Sequence, residues 1–279
     1  MKNSADSPCD FHKSAALVER FLWLPETGST NDDASALARQ GAPDFTVVVT
    51  DTQTAGRGRL GRVWTARSGK TLAISVLLRP TELFERPDSL AWLPLLAGVA
   101  MSRAVRAELD ALLTHEPEER APLEVSLKWP NDVLIHGFKV SGILTELVAD
   151  ESAVVIGSGI NLTLDEHDLP TLTSTSVLLA SGAQPDADRL LSAYLQELRR
   201  LTTTLREHAG NAETSGLRAL VEASCGTIGQ SVRVELPGGQ ELHGTAEGID
   251  AAGRVSVRDS SGVVRFIAAG DVTHLRLEA

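Results

Sequence analysis

The chain holds 279 residues, 42% of them hydrophobic, with a mean hydropathy of −0.02 and a formal net charge of −11. That length accommodates one large domain plus a small one, and the acidic total argues against a general DNA-binding role, since duplex affinity comes from neutralising phosphates. No 18-residue apolar run and no signal-like N-terminus stand in it, so the expected setting is cytoplasmic with no membrane contact, and Cys9, Cys225 and seven scattered histidines give neither a disulfide framework nor a zinc site.

Residues 1–19 show no clear period and read as a flexible tail or a short lead-in helix. Ser29-Thr30-Asn31-Asp32-Asp33 opens a helix, with Thr30 as its cap, Asp33 completing a weak capping box and Gly41 closing it. Strands are expected at about 45–51 and 71–79. Leu90 to Leu113 is a long helical pattern in which Pro94 is tolerable only near the first turn. A charged connection from Glu116 to Pro122 leads into an alternating strand over 123–129. Two more strands, near 132–136 and 138–148, turn at His136-Gly137, and Ala153 to Gly157 is another. Helices at about 186–208 and 213–224 complete the domain spanning 20–226. From Thr227 short strands recur through Leu275 with turns at Pro237-Gly238-Gly239, Asp250 to Gly253 and Asp259 to Gly262. That pattern predicts a small antiparallel barrel over 227–279, and the main domain reads as α+β.

The most informative stretch is Gly56-Arg57-Gly58-Arg59-Leu60-Gly61-Arg62, followed by Trp64. Its glycines let backbone approach a ligand, and its arginines are forked donors suited to phosphate or carboxylate. From Arg57 to Lys70 run five basic residues (Arg57, Arg59, Arg62, Arg67 and Lys70) and no acid, so the loop reads as an anion site. It also matches G-x-G-x-x-G, but a strand follows instead of the helix that would receive a pyrophosphate. Ser68-Gly69-Lys70-Thr71 resembles the end of a P-loop, yet the position of that motif's first glycine is Trp64.

Lys128-Trp129-Pro130-Asn131-Asp132 ends one strand and starts another, with Lys139 seven residues on. Strand, proline turn and strand would bring Lys128, Asn131 and Lys139 to one sheet edge, where they can donate to a carboxylate or phosphate. Asp132 would counterbalance them or help hold a metal. Taken alone, Trp-Pro-Asn-Asp reads as a turn and Lys139 as a solvated edge lysine. Gly157-Ser158-Gly159-Ile160-Asn161 offers close backbone approach and one amide.

In order, Glu26 to Asn31, Gln53 to Trp64, Lys128 to Asp132, Lys139-Val140-Ser141-Gly142-Ile143-Leu144-Thr145-Glu146 and Gly157 to Asn161 resemble the biotin–protein ligases, over roughly residues 20 to 275. The resemblance implies a central mixed or antiparallel sheet with helices, like the class II synthetases and biotin/lipoate ligases, then an SH3-like barrel. It implies a two-step reaction: biotin's carboxylate attacks the α-phosphate of ATP to give biotinyl-5′-AMP, and a lysine of a biotin carboxyl carrier domain takes the biotinyl group. Lys139, Arg57 and Arg59 would then be catalytic. Ser29, Thr30, Asn31, Gln53, Gly56, Arg57, Lys139 and Gly142 would bind biotin. Arg59, Arg62, Trp64, Lys128, Asn131, Gly159 and Asn161 would bind ATP, with Mg²⁺ brought by the triphosphate and Asp132 as a contributor. Some members begin with a DNA-binding winged helix; here the ligase pattern starts near Phe21, so no DNA role is expected. A monomer and a homodimer stay equally open. Two other readings stand beside this one, a lipoate or octanoate ligase or transferase of similar fold and a non-enzymatic biotin or nucleotide sensor. A thioester-forming transferase needs a core cysteine, and Cys9 and Cys225 are expected outside the central sheet.

Overall fold

Strands that are buried on both faces read as unbroken apolar runs, because neither face meets water. Thr46–Thr50, Thr71–Leu78 and Ala153–Asn161 are such runs, buried at every position. The computed structural model describes residues 11–113, 123–148, 153–236, 240–268 and 271–274. The expected connection at Glu116–Pro122 and turn at Pro237–Gly239 fall outside them.

In chain order the main domain contains α1 (His12–Ala16), β1 (Phe21–Trp23), α2 (Thr30–Arg39), β2 (Thr46–Thr50), β3 (Thr71–Leu78), α3 (Thr81–Phe84), α4 (Pro87–Leu90) and α5 (Trp92–Leu113). It continues with β4 (Val125–Lys128), β5 (Asp132–Ile135), β6 (Phe138–Val148), β7 (Ala153–Asn161), α6 (Val177–Ser181), α7 (Ala187–Glu207) and α8 (Leu217–Ser224). The seven strands form one sheet in the order β1-β2-β3-β7-β6-β5-β4. β1 runs parallel to β2 and the other neighbours pair antiparallel. His136 (φ 48°) and Gly137 (φ 79°) supply the left-handed pair that a tight β5–β6 turn needs.

Strand alternation divides the core. Val47, Val49, Leu72, Ile74, Val76, Val154 and Ile156 face α5 and α7 in the larger cluster. Val48, Leu77, Val148 and Val155 face α2 with Ala34, Leu37 and Ala38. The α2 face turns small and polar toward one end of the central strands, at Ala73, Ser75, Gly157 and Gly159, and that end is where the site lies.

Several expectations need correction. Thr30 is the first helical residue, not the cap; Ser29 has the extended cap conformation (φ −155°, ψ 123°) without a side-chain cap bond. Asp33 completes no capping box because its Oδ2 accepts from Thr27 Oγ1 at 2.6 Å. Of the two readings of the lead-in, the short helix is the one found over the described residues: α1 is docked, with Phe11 stacked on Trp23 and Asp188 of α7 accepting from the backbone of Lys13 and Ser14. The helix expected from 213 starts at Leu217, after Gly216 with φ 73°. Asp88–Leu113 is long and apolar enough to cross a membrane, contrary to the expectation of no such run, but 67% of that window is buried inside the protein. Cys225 is buried and bridges Leu127 on edge strand β4; burial pushes its thiol up, away from nucleophile chemistry.

The second unit is a five-stranded antiparallel sheet, in the order β11-β10-β9-β8-β12. Its strands are β8 (Ser231–Glu235), β9 (Glu241–Ile249), β10 (Val255–Asp259), β11 (Val264–Ile267) and β12 (Asp271–His274). Among the described residues β11 and β12 end the sheet without pairing to each other, so it does not close into a barrel there. Two indoles join it to the main domain: Trp92 Nε1 donates to Ala251 O (3.1 Å) and Trp129 Nε1 to Gly253 O (3.0 Å).

Candidate active site

The Gly-Arg stretch folds as a short excursion between β2 and β3. Trp64 N donates to Gly56 O (2.9 Å) and Gly58 N to Arg62 O (2.7 Å), around a 3₁₀ turn at Arg59–Gly61. Leu60 (φ 56°) and Gly61 (φ 73°) both lie in the left-handed region at its tip. Leu60 and Val63 are 71% and 76% exposed. Gly56 is required by crowding: a Cβ there would stand 2.1 Å from Gln53 Nε2 and 2.3 Å from Trp64 O.

Beneath the loop lies a cavity of about 1070 Å³, at the upper end for ligand pockets. Every residue that the resemblance assigns to biotin, ATP, metal or catalysis lines it except Gly56, which lines a second cavity of about 800 Å³ behind the same loop; Arg67 and Lys70 of the basic stretch do not. The Trp64 indole lies across the floor: added Cβ atoms on Gly159 and Gly142 would come within 2.1 and 3.4 Å of it. Lys139 Nζ sits 5.9 Å from the ring centroid and 2.7 Å from Asp132 Oδ1. Trp64 Nε1 is buried and has no acceptor among the described residues. An unpaired buried donor costs about 1–3 kcal/mol, which a ligand oxygen would offset.

At the α2 side, Gln53 Oε1 accepts from Thr30 N (2.9 Å) and Thr30 Oγ1 (3.3 Å), beside buried Ser29. That leaves the Gln53 amide, the Ser29 hydroxyl and the cavity wall to meet a small polar head. Asn31 is committed at both ends: its amide donates to Glu146 Oε2 (2.6 Å) and its carbonyl accepts from Ser75 Oγ (2.6 Å). At the other side, Arg59 Nη1 donates to Asn131 Oδ1 (2.9 Å), Asn131 Nδ2 to Ile143 O (2.8 Å) and Asn161 Nδ2 to Thr175 O (2.9 Å). Lys128 and Arg62 also line the wall.

The loop is less of an uncompensated cation than its sequence suggests. Arg57 forks onto Asp32 (2.8 and 2.7 Å) and reaches Glu146 (3.2 Å). Those pairs hold the Arg57 guanidinium well above its ordinary range and, through the hydrogen bond first, the Asp32 carboxyl below its own. Arg67 and Lys70 pair with Asp168, and Lys70 also with Asp165. Arg59, Arg62, Lys128 and Lys139 line the cavity, with Asp132 as the carboxylate opposing Lys139.

Sequence reasoning missed Asp32 and Glu146 as partners of Arg57, the Thr171–Ser174 segment, and Gln230, Ser231 and His274 from the second unit. The polar run Thr171 to Ser176 after β7 was the one signal at hand. Its backbone flanks the lysine, with Lys139 N donating to Thr173 O and Thr175 N to Lys139 O, both at 2.8 Å.

The lowered carboxyls carry a pH consequence. Asp32, Asp165, Asp186 and Asp250 all lie below the ordinary 3.8, and Asp259, chiefly through the Ser261 hydroxyl, is held at about 2. A group depressed on folding stabilises above its unfolded value and loses that contribution as pH falls through the folded one. The melting temperature should therefore owe these groups no change between about pH 8 and 5 and should fall below about pH 4. A thermal scan with a maximum near pH 3 would contradict this.

Cations and an orphan donor over a small-residue floor, with a polar pocket at one end and amides at the other, suit an elongated ligand that carries negative charge near its middle. Residues 24–161 match the biotin/lipoate A/B protein ligase family and residues 227–275 the biotin protein ligase C terminal domain. The biotin–[acetyl-CoA-carboxylase] ligase of Mycobacterium tuberculosis is 40% identical over 254 residues, 91% of this chain and 88% of that protein. The bifunctional ligase/repressor BirA of Bacillus subtilis is 31% identical, over 92% of this chain and 75% of that one. The structure of the Aquifex aeolicus biotin protein ligase in complex with biotin and ATP superposes with a TM-score of 0.73 at 28% identity, covering 93% of this chain and 100% of that one. The chain belongs to the biotin protein ligase family.

Proposed function

We propose that this chain is an ATP-dependent biotin–protein ligase, which makes biotinyl-5′-AMP from biotin and ATP and passes biotin to one lysine of a biotin carboxyl carrier domain. The observation that carries the reading is Lys139, an ammonium beside the Trp64 ring between the Thr30–Gln53 pocket and the Asn131–Asn161 wall. Both reactants are anionic, so bond formation requires fixed positive charge where negative charge gathers. Lys139 supplies it at the reacting atoms, and Arg59 and Arg62 supply it around the nucleotide. Ser29, Thr30 and Gln53 fit the ureido ring, which has two N–H donors and one carbonyl. Gly142, Gly159 and Gly56 admit ligand and indole to close backbone, and Lys128, Asn131 and Asn161 border the nucleotide. Arg57 meets the biotin carboxylate by exchanging it for its Asp32 and Glu146 partners. Residues 20–226 form the catalytic unit, and 227–279 lend Gln230, Ser231 and His274 to its wall.

The described residues hold no group of three His, Cys, Asp or Glu fit for a metal. Mg²⁺ is commonly held by one or two carboxylates plus substrate phosphates, and Asp132, a carboxylate on the cavity wall beside Lys139, fits that lesser part. The ion enters with the triphosphate, whose charge it offsets. A cytoplasmic setting fits ATP as a substrate.

Biotin-dependent pyrophosphate release from ATP tests the reading, with biotinyl-5′-AMP identified by mass spectrometry. Lipoate and octanoate should give none, and a sensor would bind without turnover. Biotin with Mg·ATP should also raise the melting temperature by about 5–10 °C, more than either alone, because ligand at 100-fold its Kd adds about 2.7 kcal/mol. A response no greater than that to ATP alone would count against the assignment.

A further inference from the structure

Two of the five basic residues after Gly56, Arg67 and Lys70, do not line the cavity. Their charge goes instead to the segment between β7 and α6. Arg67 Nη1 lies 2.6 Å from Asp168 Oδ1, while Lys70 Nζ pairs with Asp168 Oδ2 and lies 3.1 Å from Asp165 Oδ2. The Asp168 side chain is only 12% exposed, against 53% for Arg67 and 39% for Lys70, so the two cations reach inward to one covered carboxylate. Backbone reinforces the joint: Leu162 N and Thr163 N both donate to Lys70 O, at 3.0 and 2.9 Å. At its far end the same segment flanks Lys139 through Thr173 and Thr175, and Thr175 O receives the Asn161 amide.

We propose that Asp168 is a positioning residue for the nucleotide half of the site: with Arg67 and Lys70 it clasps the 162–175 segment, so that Thr173 to Thr175 hold Lys139 and Asn161 in place for ATP. The proposal rests on the biotin–ATP reading above. The clasp acts on one substrate more than the other because the Thr30–Gln53 pair is supported separately, from α2 and from Ser75 of β3. Lys70 is held above its ordinary range by its hydrogen bonds to Asp168 first and Asp165 second, and Asp165 is held below its own by the bond to Lys70, so both stay charged through neutral pH. Between the two anchors Leu172 is 97% exposed, and the turn around it is tied chiefly to itself, through Thr171 Oγ1 and Ser174 Oγ at 2.7 Å.

The test uses the full chain carrying Asp168→Asn, which keeps the volume and removes the charge, and separately Lys70→Met. An exposed ion pair contributes a factor of about 1.4 to 5, and Asp168 makes two. Asp168→Asn should therefore raise the KM for ATP in pyrophosphate release by about fivefold, with the KM for biotin and kcat within about twofold. Lys70→Met should show the same split at smaller size, and Asp168→Glu should restore most of the ATP affinity. In the unliganded protein, amide exchange over 163–175 should quicken in both variants while β3 and β7 stay protected. An unchanged KM for ATP, an equal rise in both KM values, or unaltered exchange over 163–175 would overturn the clasp. If Asp168→Asn does not fold, Lys70→Met decides by the same readouts. Absence of biotin-dependent turnover in the unaltered chain would defeat the ligase reading, whereas the exchange measurement judges the clasp whatever the substrate.

Discussion

Lys139→Ala should lower biotin-dependent pyrophosphate release by about 10²- to 10³-fold, the loss that follows removal of one preorganised charge contact. Its ammonium is 2.7 Å from Asp132 and faces the Trp64 ring, so it is oriented before any ligand arrives and needs no reorganisation during reaction. The effect on folding should be small, because the side chain is a third exposed and packs little apolar surface. Removal also leaves Asp132 unopposed beside an incoming phosphate, and that repulsion belongs to the measured loss. The double variant Lys139→Ala/Asp132→Asn separates the two and should recover less than about tenfold if the lysine itself stabilises the reacting charge. Near-normal turnover in the single variant would refute its place at the reacting centre.

Gly159→Ala should cost about 10²-fold in kcat/KM, the scale of a 1 Å displacement in a reacting site. The added Cβ would lie 2.1 Å from Trp64 Cε2, 2.3 Å from Cζ2 and 2.5 Å from Nε1. Ordinary contact begins near 3.4 Å, so the indole has to leave the floor and enter the space of the ligand. The backbone at Gly159 is regular strand paired with Ala73 and Gly142, so alanine fits the chain itself. The damage is therefore to the cavity, and the melting temperature should move by only a few degrees (about 1 kcal/mol), because the group that has to give way is the partly exposed Trp64 ring and not the apolar core. Adding Trp64→Ala should make the glycine substitution nearly silent, since the three nearest atoms to the added Cβ all belong to that ring. Full activity in Gly159→Ala, or an equal penalty with and without the indole, would show that the ring does not rest there.

Much of the site was legible one segment at a time. Gly157 and Gly159 stand two apart in one strand, which places them on one face and offers the close backbone approach the sequence suggested, whereas Gly142 joins that floor through its pairing with Gly159 across β6 and β7. His136-Gly137 signals its turn through the left-handed backbone such a turn demands, and Lys139 follows it at a fixed spacing. The same local rules misplaced the α2 cap, because Ser29 and Thr30 are equally good caps by residue type. The decision came from the extended backbone of Ser29 and the diversion of Asp33 to Thr27.

By itself the sequence determined the strands from β2 onward, the turn residues and the kinds of chemical group brought to the ligand, since these depend on periods and dihedral preferences within about ten residues, while β1 (Phe21–Trp23) went unread. Only the tertiary structure decided which charges are spent inside the protein. Arg57 meets Asp32 and Glu146 across 25 and 89 positions, and Lys70 meets Asp168 across 98. The loop that reads as five free cations is thus partly neutralised from elements that no local pattern connects to it. The physical reason is that an ion pair depends on distance in space, which the order of strands β2, β3, β7 and β6 in the sheet sets and neighbouring residues in the chain do not.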